Sequence, residues 1–148
     1  MFNVAIIYAP QESELKGLTE IIRDCFNPKN FKVIIKSASQ AGIPDIAAAE
    51  ILILAANSSG RSAVHSDFSE ILRALKGVNL AGRLAGFCTV NTSDTLKAFK
   101  EVLSDAEAII GPELFLSAKG KKARKAEIKN WIEELSGKFK EMTVEYGI

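Results

Sequence analysis

A chain of 148 residues, 47% hydrophobic and 25% charged, has the balance of a globular protein and enough length to bury a sizeable core. Its net charge of +1 supplies no field to draw nucleic acid or an acidic membrane surface, so neither is expected as a partner. One His and two cysteines without CxxC spacing argue against a metal site and a disulfide framework, which points to the reducing cytoplasm. The first residues carry no basic segment of the kind that opens a signal peptide. The longest apolar run, Ile46 to Ala56, is interrupted by Glu50 and is too short to span a bilayer.

The elements follow in order. Val4 to Tyr8 is a continuous apolar, β-branched run, the pattern of a strand covered on both faces. A helix follows with Leu15, Leu18, Ile22, Cys25 and Phe26 on one face, and Asn27-Pro28-Lys29-Asn30 stops it. Phe31 to Ile35 alternates and ends in Lys36, the pattern of a shorter or more exposed strand. Ser37 to Asp45 is turn-rich, and Ile43-Pro44-Asp45-Ile46 starts a poorly formed helix. Ile51 to Ala56 is the clearest buried strand. After the polar loop Asn57 to Ser62, Ser66 or Asp67 caps a helix, with Asp67 and Glu70 at capping-box spacing. Phe68, Ile71, Leu72 and Leu75 form its apolar stripe, and Gly77 follows its end.

Leu84 to Val90 is a further buried strand. Thr92 or Ser93 caps the helix that turns Leu96, Phe99 and Leu103 inward. Gly111-Pro112 divides Ala108-Ile109-Ile110 from Leu114-Phe115-Leu116, so the last strand is short or bent. The final helix starts near Gly120-Lys121 and buries Ile128, Trp131, Ile132, Leu135 and Phe139, leaving Thr143 to Ile148 as a tail without assignment.

Strands alternating with helices imply a parallel sheet with helices on both faces. Right-handed crossovers leave few topologies, and five strands of this length fit the order 2-1-3-4-5. Residues 1–148 show no boundary and are expected to form a single domain.

Three stretches carry a family resemblance. Val4-Ala5-Ile6-Ile7-Tyr8 resembles the first strand of flavodoxins. Ala49-Glu50-Ile51-Leu52-Ile53-Leu54-Ala55 is similar to their third strand, and Phe87-Cys88-Thr89-Val90-Asn91-Thr92 takes the place of their fourth strand and the loop after it. The resemblance covers nearly the whole chain and implies a flavodoxin-like three-layer sandwich that binds flavin mononucleotide (FMN). It places the cofactor contacts at Pro10, Gln11, Glu12 and Ser13, at Asn57, Ser58, Ser59, Gly60 and Arg61, and at Asn91, Thr92 and Ser93.

The residues depart from that family at the phosphate loop, which there is rich in Ser, Thr and Gly in a pattern like [ST]-x-T-G-x-T. Here it holds Pro10, which has no N–H, and two acids, Glu12 and Glu14. A unit charge pair about 4 Å apart interacts by roughly 4 kcal/mol at an effective dielectric of 20, and an acid facing a phosphate has the repulsive sign. An acid at a helix start is itself stabilised by the helix dipole. Glu12 or Glu14 is therefore a candidate to fill the place of the phosphate; the alternative is that both are solvated first-turn acids. Neither Asn57 to Val64 nor Val90 to Leu96 contains an aromatic residue to hold a flavin ring.

Other features are read as structural. The Asn57–Ser62 loop, with its hydroxyls and Arg61, could receive an anion or merely connect two elements. His65 has no visible triad partner, and no catalytic constellation is seen. Cys88 reads as a buried, inert thiol. Lys119, Lys121, Lys122, Arg124 and Lys125 read as a solvated basic face. The expectation is a flavodoxin-like domain with weakened or lost FMN binding, acting as a binding module for an unidentified protein partner. The alternative is an FMN-dependent electron-transfer protein with a divergent phosphate loop.

Overall fold

The computed structural model describes residues 1–57, 66–90, 94–116 and 121–146. Five strands form one parallel sheet: β1 (Phe2–Ala9), β2 (Phe31–Ser37), β3 (Ile51–Asn57), β4 (Leu84–Val90) and β5 (Ile109–Leu116). Their order is β2-β1-β3-β4-β5, as the element pattern predicts. Every residue of β3 and β4 is buried, because helices cover both faces of these central strands.

Period-two alternation sorts each strand's side chains into two cores. Val4, Ile6, Tyr8, Ile51 and Ile53 face α1 (Ser13–Asp24) and α5 (Lys121–Tyr146), which contribute Leu15, Ile22, Trp131 and Leu135. Ala5, Ile7, Leu52, Leu54 and Phe87 face α2 (Ile43–Ala47), α3 (Ser69–Leu75) and α4 (Asp94–Asp105), which contribute Ile46, Ile71 and Phe99. Phe68 and Phe99 meet edge to face at 5.0 Å in that second core.

The helix α5 sits close on the sheet because two strand positions lack a side chain. A Cβ on Gly86 would lie 2.9 Å from Leu135 Cδ1, and one on Gly111 would lie 2.9 Å from the carbonyl oxygen of Ala85. Trp131 Nε1 donates to the Pro112 carbonyl at 2.8 Å and ties the helix to β5. Pro112 is accommodated because β5 is an edge strand.

Several local expectations are corrected. Residues Ser66–Phe68 form a 3₁₀ turn, Phe68 is the N-cap of α3, and no side chain caps that helix, so the capping box on Asp67 and Glu70 does not form. Cys25 is only half-buried, since it lies at the end of α1 where the core thins. The strand β5 is a full eight residues, so it is not short; the other alternative, a bent strand, agrees with the register shift between Ala85 and Phe87. The helix α5 continues to Tyr146 because Met142 extends its buried stripe. Among the described residues no helix is long and apolar enough to cross a membrane.

Candidate functional site

Parallel strands bring the turns after β1, β3 and β4 to one edge of the sheet, where ligands of such folds bind. The turn after β1 runs from Ala9 through a cis bond to Pro10, then Gln11 and Glu12, before α1 begins at Ser13. Glu12 is extended (φ −130°, ψ 152°), and its carbonyl accepts the first helical bond from the Lys16 amide at 3.0 Å. The Glu12 amide donates to the Pro10 carbonyl at 3.0 Å, so this N–H is already engaged.

The Glu12 carboxylate makes no capping bond to the helix amides. Its Oε1 instead accepts a hydrogen bond of 2.7 Å from Nδ2 of Asn57, the last residue of β3. Asn57 is 7% exposed, so the acid is held by a buried amide. A carboxylate only accepts, which fixes the orientation of the Asn57 amide. Glu12 is half-buried by this contact and is no freely solvated acid. Glu14 points elsewhere: its Oε1 accepts from Arg124 Nη1 of α5 at 2.8 Å.

Of the residues expected at the cofactor, Pro10, Gln11, Glu12, Ser13 and Asn57 lie along this edge, and the fold brings Glu12 and Asn57 into contact. Gln11 is turned the other way, where its Nε2 donates to Ser39 Oγ at 2.7 Å and Ser39 Oγ lies 3.3 Å from Ser37 Oγ. Ser37 and Ser39 escaped the sequence reading because only the pairing of Tyr8 with Ser37 puts the end of β2 beside this turn. Ser58, Ser59, Gly60, Arg61, His65, Asn91, Thr92, Ser93 and Lys119 lie outside the described residues.

Two features of the described turn set it apart from a donor-rich anion loop. Pro10 has no N–H to give and the Glu12 N–H is engaged by the Pro10 carbonyl, while the Glu12 carboxylate beside the start of α1 carries a negative charge of its own. Nor do the thiols offer chemistry there. Both are free; burial pushes the Cys88 thiol up to about 12, and burial with the neighbouring Asp24 raises Cys25. Thr89, beside Cys88 and fully buried, has the one orphaned side-chain oxygen among the described buried groups. No cluster of metal-ligating side chains occurs among the described residues.

No protein-family model matches the chain. No curated protein sequence matches it either. Solved structures do. A short-chain flavodoxin associated with a non-canonical PDU bacterial microcompartment aligns with a TM-score of 0.80 at 19% identity, covering 94% of this chain and 99% of that one. Oxidised Flavodoxin 2 from Bacillus cereus aligns with a TM-score of 0.80 at 14% identity, covering 93% and 99%. The Fusobacterium nucleatum flavodoxin bound to flavin mononucleotide aligns with a TM-score of 0.74 at 15% identity, covering 94% and 99%. The chain thus has the flavodoxin-like fold over nearly its whole length, at an identity that carries the fold and not the cofactor.

Proposed function

We propose that this chain is a flavodoxin-like binding module that has given up tight FMN binding. The observation that carries the reading is the Glu12 carboxylate, seated at the start of α1 and hydrogen-bonded to Asn57 at 2.7 Å. An acid beside the helix start is favoured by the helix dipole and repels a second anion. The lack of aromatic residues in 57–64 and 90–96 supports the same reading, since a flavin ring would find no side chain to stack on. The partner is then a macromolecule or ligand recognised through the surface of the fold.

Purified protein tests this directly. The expected preparation is colourless, takes up no added FMN in a fluorescence titration, and keeps its melting temperature when FMN is added. A yellow preparation with flavin absorption bands sinks the proposal. Replacing the obstacle should reverse the effect: Pro10→Ser with Glu12→Thr is expected to raise FMN affinity by about tenfold or more, since one repulsive charge is removed and one donor gained. An unchanged titration would assign the loss to the absent aromatics instead.

A second reading is an FMN-dependent electron carrier whose contacts are Gln11, Ser13, Asn57 to Arg61 and Asn91 to Ser93. The observation favouring it is the similarity to a flavodoxin bound to flavin mononucleotide. The same titration separates the two.

A further inference from the structure

A second opening lies at the other end of the sheet, away from the flavin-type edge. Strands β1 and β2 begin there with Phe2 and Phe31, the turn before β2 carries Lys29 and Asn30, and the second half of α5 crosses above them. Together they border an open surface cleft of about 590 Å³. Small-molecule sites span roughly 300–1,000 Å³.

The cleft has an aromatic floor. Phe2 and Phe139 meet edge to face at 4.8 Å, with Phe31 at 6.3 Å from Phe2 and 6.1 Å from Phe139. Phe2 and Phe31 are only half-buried, so part of this ring surface stays uncovered. The rim is electrically polarised. Lys29 and Lys140 stand beside the Phe31–Phe139 pair in sequence, and neither forms an ion pair among the described residues. The one acid of the lining, Glu133, lies about two helical turns (~10 Å) before Lys140 and faces the Cys25 end.

Gly137 is the second, independent observation. It sits inside the long helix α5, where glycine costs about 1 kcal/mol against alanine. A Cβ built on it meets nothing within 4 Å, so no internal contact requires the missing side chain. Gly137 lines the cleft, so a side chain there would project into its open space.

We propose that this cleft binds a small aromatic acid, its ring lying on the half-buried Phe2 and Phe31 above the buried Phe139 and its anionic group pairing with Lys29 or Lys140. An apolar floor with ammonium groups in its lining that form no ion pair among the described residues favours such a ligand over a neutral hydrocarbon, through charge-assisted hydrogen bonds. The site is independent of the flavin-type edge and of what that edge binds.

The test is a titration of the whole chain with naphthalene-2-sulfonate and its neutral isostere naphthalene-2-sulfonamide, read by amide chemical shifts. Saturable one-site shifts are expected at Lys29–Phe31 and Ser136–Lys140, with the sulfonate bound about tenfold more tightly than the sulfonamide. Lys29→Gln with Lys140→Gln should erase that preference. Gly137→Leu, which fills open space, should abolish binding of both. Shifts that do not saturate, that map elsewhere, or that do not distinguish the two probes overturn the proposal. So does concentration-dependent dimerisation that covers the cleft and leaves no probe shift. Should Gly137→Leu fail to fold, the lysine pair decides alone.

Discussion

A carboxylate at the start of a helix gains about 0.3–1 kcal/mol from the dipole, and Glu12 adds to this a hydrogen bond from a nearly buried amide. That combination is why the proposed loss of FMN binding is assigned to this one side chain. Cys88 shows the opposite use of burial. Its thiol is shifted from an ordinary 9.0 to about 12 because the fully buried site penalises the thiolate. Between those two values the unfolded chain holds fewer protons than the folded one, so rising pH draws the equilibrium toward unfolding. The protective contribution is intact below pH 9.0 and is lost as pH climbs toward about 12. The urea midpoint of the natural chain should therefore fall more steeply over that window than that of Cys88→Ala, whose lower baseline reflects its cavity. Parallel slopes would contradict this. Residue chemistry at Cys88 was legible beforehand, since its place in an unbroken apolar strand implies burial. The partner of Glu12 was not, because Asn57 is 45 positions away.

Among the elements, α4 ends in a way that invites a test. Glu107 adopts φ 67°, its amide donates to the Ser104 carbonyl at 3.0 Å, and the Ala108 amide donates to the Leu103 carbonyl at 3.0 Å. This is a Schellman closure with a glutamate at the left-handed position that glycine usually takes. An L-residue there costs roughly 1–2 kcal/mol, partly offset in the variant by the extra freedom of unfolded glycine. Glu107→Gly is expected to stabilise the protein by about 0.5–1 kcal/mol in urea denaturation. A destabilised variant would show that the Glu107 side chain holds something more. Helix faces were readable from spacing: Leu96, Phe99 and Leu103 are buried as their period demands. Helix ends were not readable to the same degree. The Asp67 and Glu70 spacing suggested a cap, yet the chain makes a 3₁₀ turn first and α3 starts at Ser69. Capping is a contest among local bonds that differ by about 1 kcal/mol, and packing of Phe68 at 0% exposure outweighs it.

For the whole molecule, the sheet separates two openings. The Glu12 corner lies at the carboxyl ends of the strands and the aromatic cleft at their amino ends. The eight residues of β1 set them roughly 26 Å apart. Changes at such distances add with little coupling. Pro10→Ser with Glu12→Thr should leave naphthalene-2-sulfonate affinity unchanged, and adding Gly137→Leu to that pair should leave the FMN affinity it gains unchanged. A cross-effect above about threefold, outside ordinary additivity error, would show that the sheet transmits between its ends.

The amino-acid sequence by itself determined the layering: which residues alternate, which recur at helical period, and in what order strands and helices follow. Those are local consequences of backbone geometry, so they survive without a partner in view. Only the tertiary structure decided that Asn57 meets Glu12, that Gln11 turns to Ser39, and that Phe2, Phe31 and Phe139 share one cleft. These groupings depend on which strand lies beside which and in what register, and that is settled by burial of both cores at once rather than by any short stretch of chain.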